Sequence, residues 1–197
     1  MIEIKTIRAE KFVLIIGTNK TGKTTYLIKI IDRKLLSTNN RVLLINPNDE
    51  RFIEVPKIDL NSKEILTFTG IRRADIFDKK DFNKILNFRK GLLILDDVRR
   101  FLPSNIPEAF LRLFIDFANF NLDVICVGHG FTAIPPAFYT YAKQLILFRT
   151  TDNIKLRKNE LGEHYKTLEK MSHEINQGFE AYGYKDFISL HKIYSFI

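Results

Sequence analysis

Residues Gly17-Thr18-Asn19-Lys20-Thr21-Gly22-Lys23-Thr24-Thr25 carry two glycines, a lysine and hydroxyls at the spacing G-x-x-x-x-G-K-[ST]. Each residue type has a chemical reason to stand where it does. Gly17 lets the chain leave a strand in a tight turn, and Gly22 removes a side chain where backbone must approach a phosphate. The N–H groups of residues 19–24 then converge on β-phosphate oxygens, helped by the positive end of the following helix. Lys23 is expected to reach the β- and γ-phosphates, Thr24 to ligate Mg²⁺ and Thr25 to meet the α-phosphate. The alternative is a polar turn between a strand and a helix.

A second group is Asp96-Asp97, which ends the apolar run GLLIL. A carboxylate at the end of a buried strand is costly unless solvated, paired or facing a cation. Beside a phosphate loop that cation is the Mg²⁺ held by Thr24. Asp96 is expected to hold the metal through its water shell, and Asp97 to orient or deprotonate an attacking water. The competing reading is an acidic cap or turn before Val98. Many ATP hydrolases carry Glu where Asp97 stands. His129 follows another apolar run, LDVICVG, and reads either as a polar group touching the γ-phosphate or the water, or as a turn histidine between two glycines.

These residues need elements to hold them. Strands are expected at 11–16, 41–46, 64–68, 91–97, 122–128 and 143–150, each short, apolar and rich in β-branched residues. Helices are expected between them, over 21–37, 78–89 and 107–120. The first has Tyr26, Leu27, Ile30, Ile31 and Leu35 on one stripe, and the last opens with Pro107 as an N1 proline would. Such alternation predicts a parallel sheet covered by helices on both faces, with ligands at the carboxyl ends of its strands. Beyond Thr150 the pattern weakens. Residues 153–178 read as helix broken near Gly162, and 184–197 as a final strand or hairpin. Tyr139, Tyr141 and the many phenylalanines read as packing groups rather than base-stacking platforms.

Composition sets outer bounds. A chain of 197 residues, 45% hydrophobic, supports one sizeable core. No apolar stretch approaches the roughly 20 residues of a membrane span. MIEIKTIRAEK lacks an apolar region behind its charges, so no secretory signal is expected. Cys126 reads as a small buried hydrophobe, and a reducing, cytoplasmic setting fits. The net charge of +8 is concentrated in the first hundred residues, whereas 101–142 hold Arg112 against Glu108, Asp116 and Asp123. A positive field of this size suits a polyanion partner without identifying one.

The order of these pieces resembles the FtsK–HerA superfamily of DNA-pumping ATPases, and within it the small genome-packaging ATPases of membrane-containing viruses. The corresponding pieces are Asp96–Asp97 at a strand end, the strand 122–128 with His129 as sensor, Ile134–Pro135 and Leu147–Arg149. The resemblance covers about residues 10–155. Two departures stand out. The sensor is usually Gln, Asn or Thr, and the Arg-His pair that often precedes the sensor strand is replaced by Asn119-Phe120-Asn121.

The resemblance implies an α/β fold of the P-loop NTPase (ASCE/RecA-like) type, a parallel β-sheet sandwiched between helices with a small C-terminal α/β extension. Residues 1–197 are expected to form a single ATPase domain, the extension spanning about 156–197. It implies ATP and Mg²⁺ as ligands and double-stranded DNA as a partner gripped without sequence preference. A homo-oligomeric ring, pentameric or hexameric, is expected, with capsid or vertex proteins as further partners and a location in the host cytoplasm or on the virion. In such a ring an arginine from the neighbouring subunit neutralises charge on the transferred phosphoryl group. Arg99, Arg100, Arg72, Arg73 and Arg149 are candidates, as is Arg157, against the plain reading of solvated surface pairs. Two other functions compete. One is a phage assembly ATPase of the zonula-occludens-toxin type, and the other a nucleoside-phosphate-type kinase.

Overall fold

The computed structural model describes residues 12–38, 40–77, 81–102, 106–182 and 191–196. Seven strands form one sheet: β1 (Phe12–Ile16), β2 (Arg41–Ile45), β3 (Gly70–Ala74), β4 (Gly91–Leu95), β5 (Leu122–Gly128), β6 (Gln144–Phe148) and β7 (His191–Ser195). Their order across the sheet is β3-β2-β4-β5-β1-β6-β7. The first six run parallel, and β7 pairs antiparallel with β6 at the edge.

The central strands are apolar on both sides because both faces are covered. Phe12, Leu14 and Ile16 of β1 point into one cluster, and Val13 and Ile15 into the other. Helix α1 (Lys23–Leu35) covers the second face with Leu27 and Ile31, while Tyr26, Ile30 and Leu35 of the expected stripe pack at its margin. The first face is covered by α2 (Phe82–Ile85), α3 (Glu108–Asp116), α4 (Pro136–Tyr141), α5 (Lys158–Leu161) and α6 (Tyr165–Tyr182). Phe12 stacks on Phe114 at 4.8 Å, and Phe138 meets Phe114 edge-on at 4.3 Å. Each of these rings is at most 1% exposed, a burial worth about 2–3 kcal/mol per side chain. Tyr139 is buried too and donates its hydroxyl to the Phe131 carbonyl at 2.8 Å, so it packs rather than offering a stacking platform.

One expected strand is displaced. Residues 63–66, overlapping the run EILTF, form a turn of 3-10 helix that buries Ile65, and the strand follows at Gly70–Ala74. The reason lies at the sheet edge. At the end of the sheet beside β2, β3 takes polar residues, and Arg72 and Arg73 bond to Glu64 and to the carbonyls of Ile53 and Val55. The run 91–97 also shortens: β4 ends at Leu95, and Asp96–Asp97 lie beyond it. Helix α2 is one turn long, part of its expected range lying outside the described residues. Pro107 is the N-cap of α3 rather than its first helical residue.

In the C-terminal stretch the helix does break at Gly162, whose φ of 52° suits glycine. The later half packs Leu168 and Ile175 onto the first face, and β7 extends the sheet. Among the described residues no helix is long and apolar enough to cross a membrane.

Candidate functional site

Parallel strands deliver their carboxyl ends to one edge, and every motif of interest leaves the sheet there. Gly17 follows β1, Asp96–Asp97 follow β4 and His129 follows β5. Because β5 lies between β1 and β4, His129 stands between the glycine-lysine loop and the acidic pair. A cleft of about 480 Å³ is lined by Asn19, Lys20 and the Gly22–Thr25 stretch of the loop, by Asp96, Asp97 and His129, and by Asn48, Asp49 and Arg51.

The loop is held from beneath. The Gly17 amide donates to the Gly128 carbonyl at 3.1 Å and the Thr18 amide to the Arg149 carbonyl at 2.8 Å, tying the loop to both flanking strands. A Cβ at Gly17 would lie 2.5 Å from Phe148 Cβ, so no side chain fits. Lys20 and Gly22 turn the chain with φ of 60° and 96°, and Gly22 is the N-cap of α1 without a side-chain cap. Tyr26 donates to the Gly22 carbonyl, so the amides of Lys23, Thr24 and Thr25 begin the helix with no intrahelical acceptor. They are the donors an anion at this helix start would use.

Lys23 is 8% exposed and its Nζ donates to the Thr18 carbonyl at 2.7 Å. Burial lowers its pKa to about 8, against the opposing pull of Asp96 and Asp97. Asp96 is shifted the other way. Burial raises its pKa and the Asp97 charge adds to that, while the Asn48 amide at 3.2 Å, Lys23 and His129 oppose it. Asp97 adopts a left-handed conformation, φ 45° and ψ 60°, which Asp tolerates better than most residues with a side chain. Its Oδ2 lies 3.3 Å from His129 Nε2.

The cleft therefore brings together Lys23, Thr24, Thr25, Asp96, Asp97 and His129. It also contains residues that sequence reasoning did not select. In the loop after β2, Asp49 and Arg51 form a two-pronged ion pair, Nε to Oδ1 and Nη2 to Oδ2 both at 2.8 Å. Arg51 Nη1 donates to Thr25 Oγ1 at 3.2 Å. The one signal in the sequence is position, a polar N-P-N-D-E-R run following an apolar strand.

Most of the arginines are engaged within the chain. Arg72 and Arg73 hold the 53–64 segment, as described. Arg149 lies over the Phe179 ring at 4.1 Å. Arg157 donates to the carbonyls of Phe131, Thr132 and Ile134, fixing the turn that follows His129. Arg99 and Arg100 are exposed on the turn behind Asp97, and among the described residues neither side chain has a hydrogen bond or ion pair.

No family model matches the chain, and no curated protein does. Solved structures do match. The genome packaging NTPase B204 from Sulfolobus turreted icosahedral virus 2, in complex with AMP, aligns with 94% of this chain and 92% of its own. The TM-score is 0.66 at 19% identity. The same protein in complex with AMPPCP gives a TM-score of 0.61 at 18% identity, covering 95% and 98% of the two chains. B204 from Sulfolobus turreted icosahedral virus, a DNA-packaging ATPase, gives 0.55 at 16% identity over 95% and 98%. The chain has the fold of a P-loop NTPase. Within that fold the donor set suits a nucleotide with a hard cation: helix-start amides and an ammonium for phosphate, a hydroxyl and carboxylates for Mg²⁺. Sequence resemblance and structural neighbours thus agree on the P-loop NTPase fold.

Proposed function

We propose that this chain is a Mg²⁺-dependent ATP hydrolase that assembles as a pentameric or hexameric ring and moves double-stranded DNA, packaging a viral genome into a preformed capsid. The observation that carries this reading is the convergence of Lys23, Thr24, Asp96 and Asp97 on one cleft, with His129 beside Asp97. The neighbours that are packaging ATPases, studied with AMP, AMPPCP and other nucleotides, support it.

In this reading the helix-start amides and Lys23 hold the ATP phosphates. Thr24 directly, and Asp96 through water, would hold Mg²⁺, which supplies charge neutralisation on the phosphate oxygens. Asp97 orients a water and accepts its proton as the water oxygen attacks the γ-phosphorus in line. The bond from the γ-phosphorus to the bridging oxygen breaks, giving ADP and phosphate. His129 steadies Asp97. Arg99 or Arg100 of one subunit is the group offered to its neighbour's ATP, since both are exposed directly behind the acidic pair. The excess of basic residues suits a surface that tracks DNA phosphates. Capsid or vertex proteins would be the docking partners, in the host cytoplasm and then on the virion.

Phosphate release from ATP, with Mg²⁺ or with EDTA, tests the hydrolase. Light scattering of the eluting protein with and without ATP tests the ring. Metal-dependent release from an assembly of five or six copies is expected; a monomer that binds ATP without turnover would contradict the proposal.

A further inference from the structure

The loop after β2 runs along the cleft in step with the elements opposite it. The Asn48 amide donates to Asp96, and Arg51 reaches the Thr25 hydroxyl. Asn48 is thus at the hydrolytic end of the site and Arg51 at the end deeper along α1.

Two features fix Arg51 in place. Its neighbour Phe52 is 4% exposed and packs into the same cluster as Leu27 and Ile31 of α1, which ties the short turn Glu50–Phe52 to that helix. The Asp49 carboxylate then takes the Arg51 backbone amide at 3.1 Å as well as its guanidinium. The pair is partly solvated, with side-chain exposures of 45% for Arg51 and 24% for Asp49. Ion pairs this open contribute little to stability. A preorganised guanidinium facing the start of a phosphate-binding helix is, by contrast, a good anion ligand.

We propose that Arg51 is a nucleotide-binding residue supplied by the same chain, which takes the α-phosphate beside Thr25, and that Asp49 is its positioning residue. The proposal rests on the nucleotide-site reading above. Nε and Nη2 stay on Asp49 while Nη1 exchanges the Thr25 hydroxyl for a phosphate oxygen. Asp49 offsets the charge of Arg51 when the site is empty.

The α-phosphate is common to ATP and ADP, which gives the test its form. Isothermal titration with ADP and with ATP, each with Mg²⁺ and with EDTA, is run on the wild type, Arg51→Ala, Arg51→Lys, Asp49→Asn and Lys23→Ala. Arg51→Ala is expected to weaken ADP and ATP alike by about tenfold, in EDTA as well as in Mg²⁺. Arg51→Lys, which keeps the charge but not the fork, should show the same equal loss at smaller size, and it serves if Arg51→Ala fails to fold. Asp49→Asn should raise KM for ATP several-fold with kcat little changed, which a merely structural loss would not do selectively. A loss confined to ATP would overturn the α-phosphate assignment. Unchanged affinity in both Arg51 variants, with binding lost in Lys23→Ala, would overturn the proposal and leave the nucleotide site standing. Unchanged affinity in Lys23→Ala would remove the nucleotide site itself.

Discussion

The Lys23 ammonium donates to the Thr18 carbonyl across its own loop, 2.7 Å away, and is nearly buried in doing so. An ammonium held this way is ready for a phosphate but poorly solvated, which explains why its pKa falls to about 8.

That pKa gives the first prediction. In the unfolded chain Lys23 keeps its proton up to about 10.5, whereas in the folded empty site it loses it near 8. Between those values the unfolded state binds more protons, so this group makes the empty protein more stable as pH rises through that window. Bound phosphates restore the charge, so binding above pH 8 takes up a proton and affinity falls as pH rises. Titrations with ADP from pH 7 to 9.5 should show the decline, and Lys23→Arg should flatten it. Lys23→Ala should cost about 1.5–3 kcal/mol of binding, roughly one to two orders of magnitude in Kd.

Asp97 and His129 make a second case, because their contact orients the proposed base. Asp97→Asn should lower kcat about 10²- to 10⁴-fold with a small change in KM, the range for loss of a general base. His129→Ala should produce a smaller drop of the same kind. Steady-state kinetics of both variants check this. A normal kcat in Asp97→Asn would assign the acid to a turn.

Arg157 binds three carbonyls in the turn after His129, so its role is to hold the chain together. Arg157→Ala leaves those acceptors short of a charged donor and should cost about 2–3 kcal/mol. For a chain of this size that is a fall of roughly 5–10 °C in Tm by calorimetry.

Exposure of Arg99 and Arg100 behind the acidic pair predicts complementation between subunits. The double variant Arg99→Ala/Arg100→Ala and the Lys23→Ala variant should each be inactive alone. Mixed, they should recover part of the ATPase rate, because an intact Lys23 site then meets an intact arginine from its neighbour. No recovery in mixed assemblies would argue against an arginine in trans at these positions.

Much of the site was legible in the sequence because its chemistry is local. The loop from Gly17 to Thr25 is one continuous stretch, and Asp96–Asp97 and His129 each follow an apolar strand. The parallel sheet then brings those ends to one edge without further information. What sequence reasoning missed depends on tertiary neighbours. The edge strand 70–74 has no apolar pattern because Arg73 is satisfied by carbonyls from a distant loop and Arg72 by the Glu64 carboxylate. Asp49 and Arg51 look like ordinary surface charges until Phe52 is seen to dock their turn beside α1. Likewise, nothing local distinguishes Arg157, engaged in its own chain, from Arg99, which is exposed.

The most direct test of an ATP-driven DNA motor is Mg²⁺-dependent phosphate release from ATP with and without long double-stranded DNA, beside Lys23→Ala. The rate is expected to rise when DNA is added and to vanish in the variant. ATP binding with no turnover under either condition, or turnover indifferent to DNA, would contradict the proposed motor.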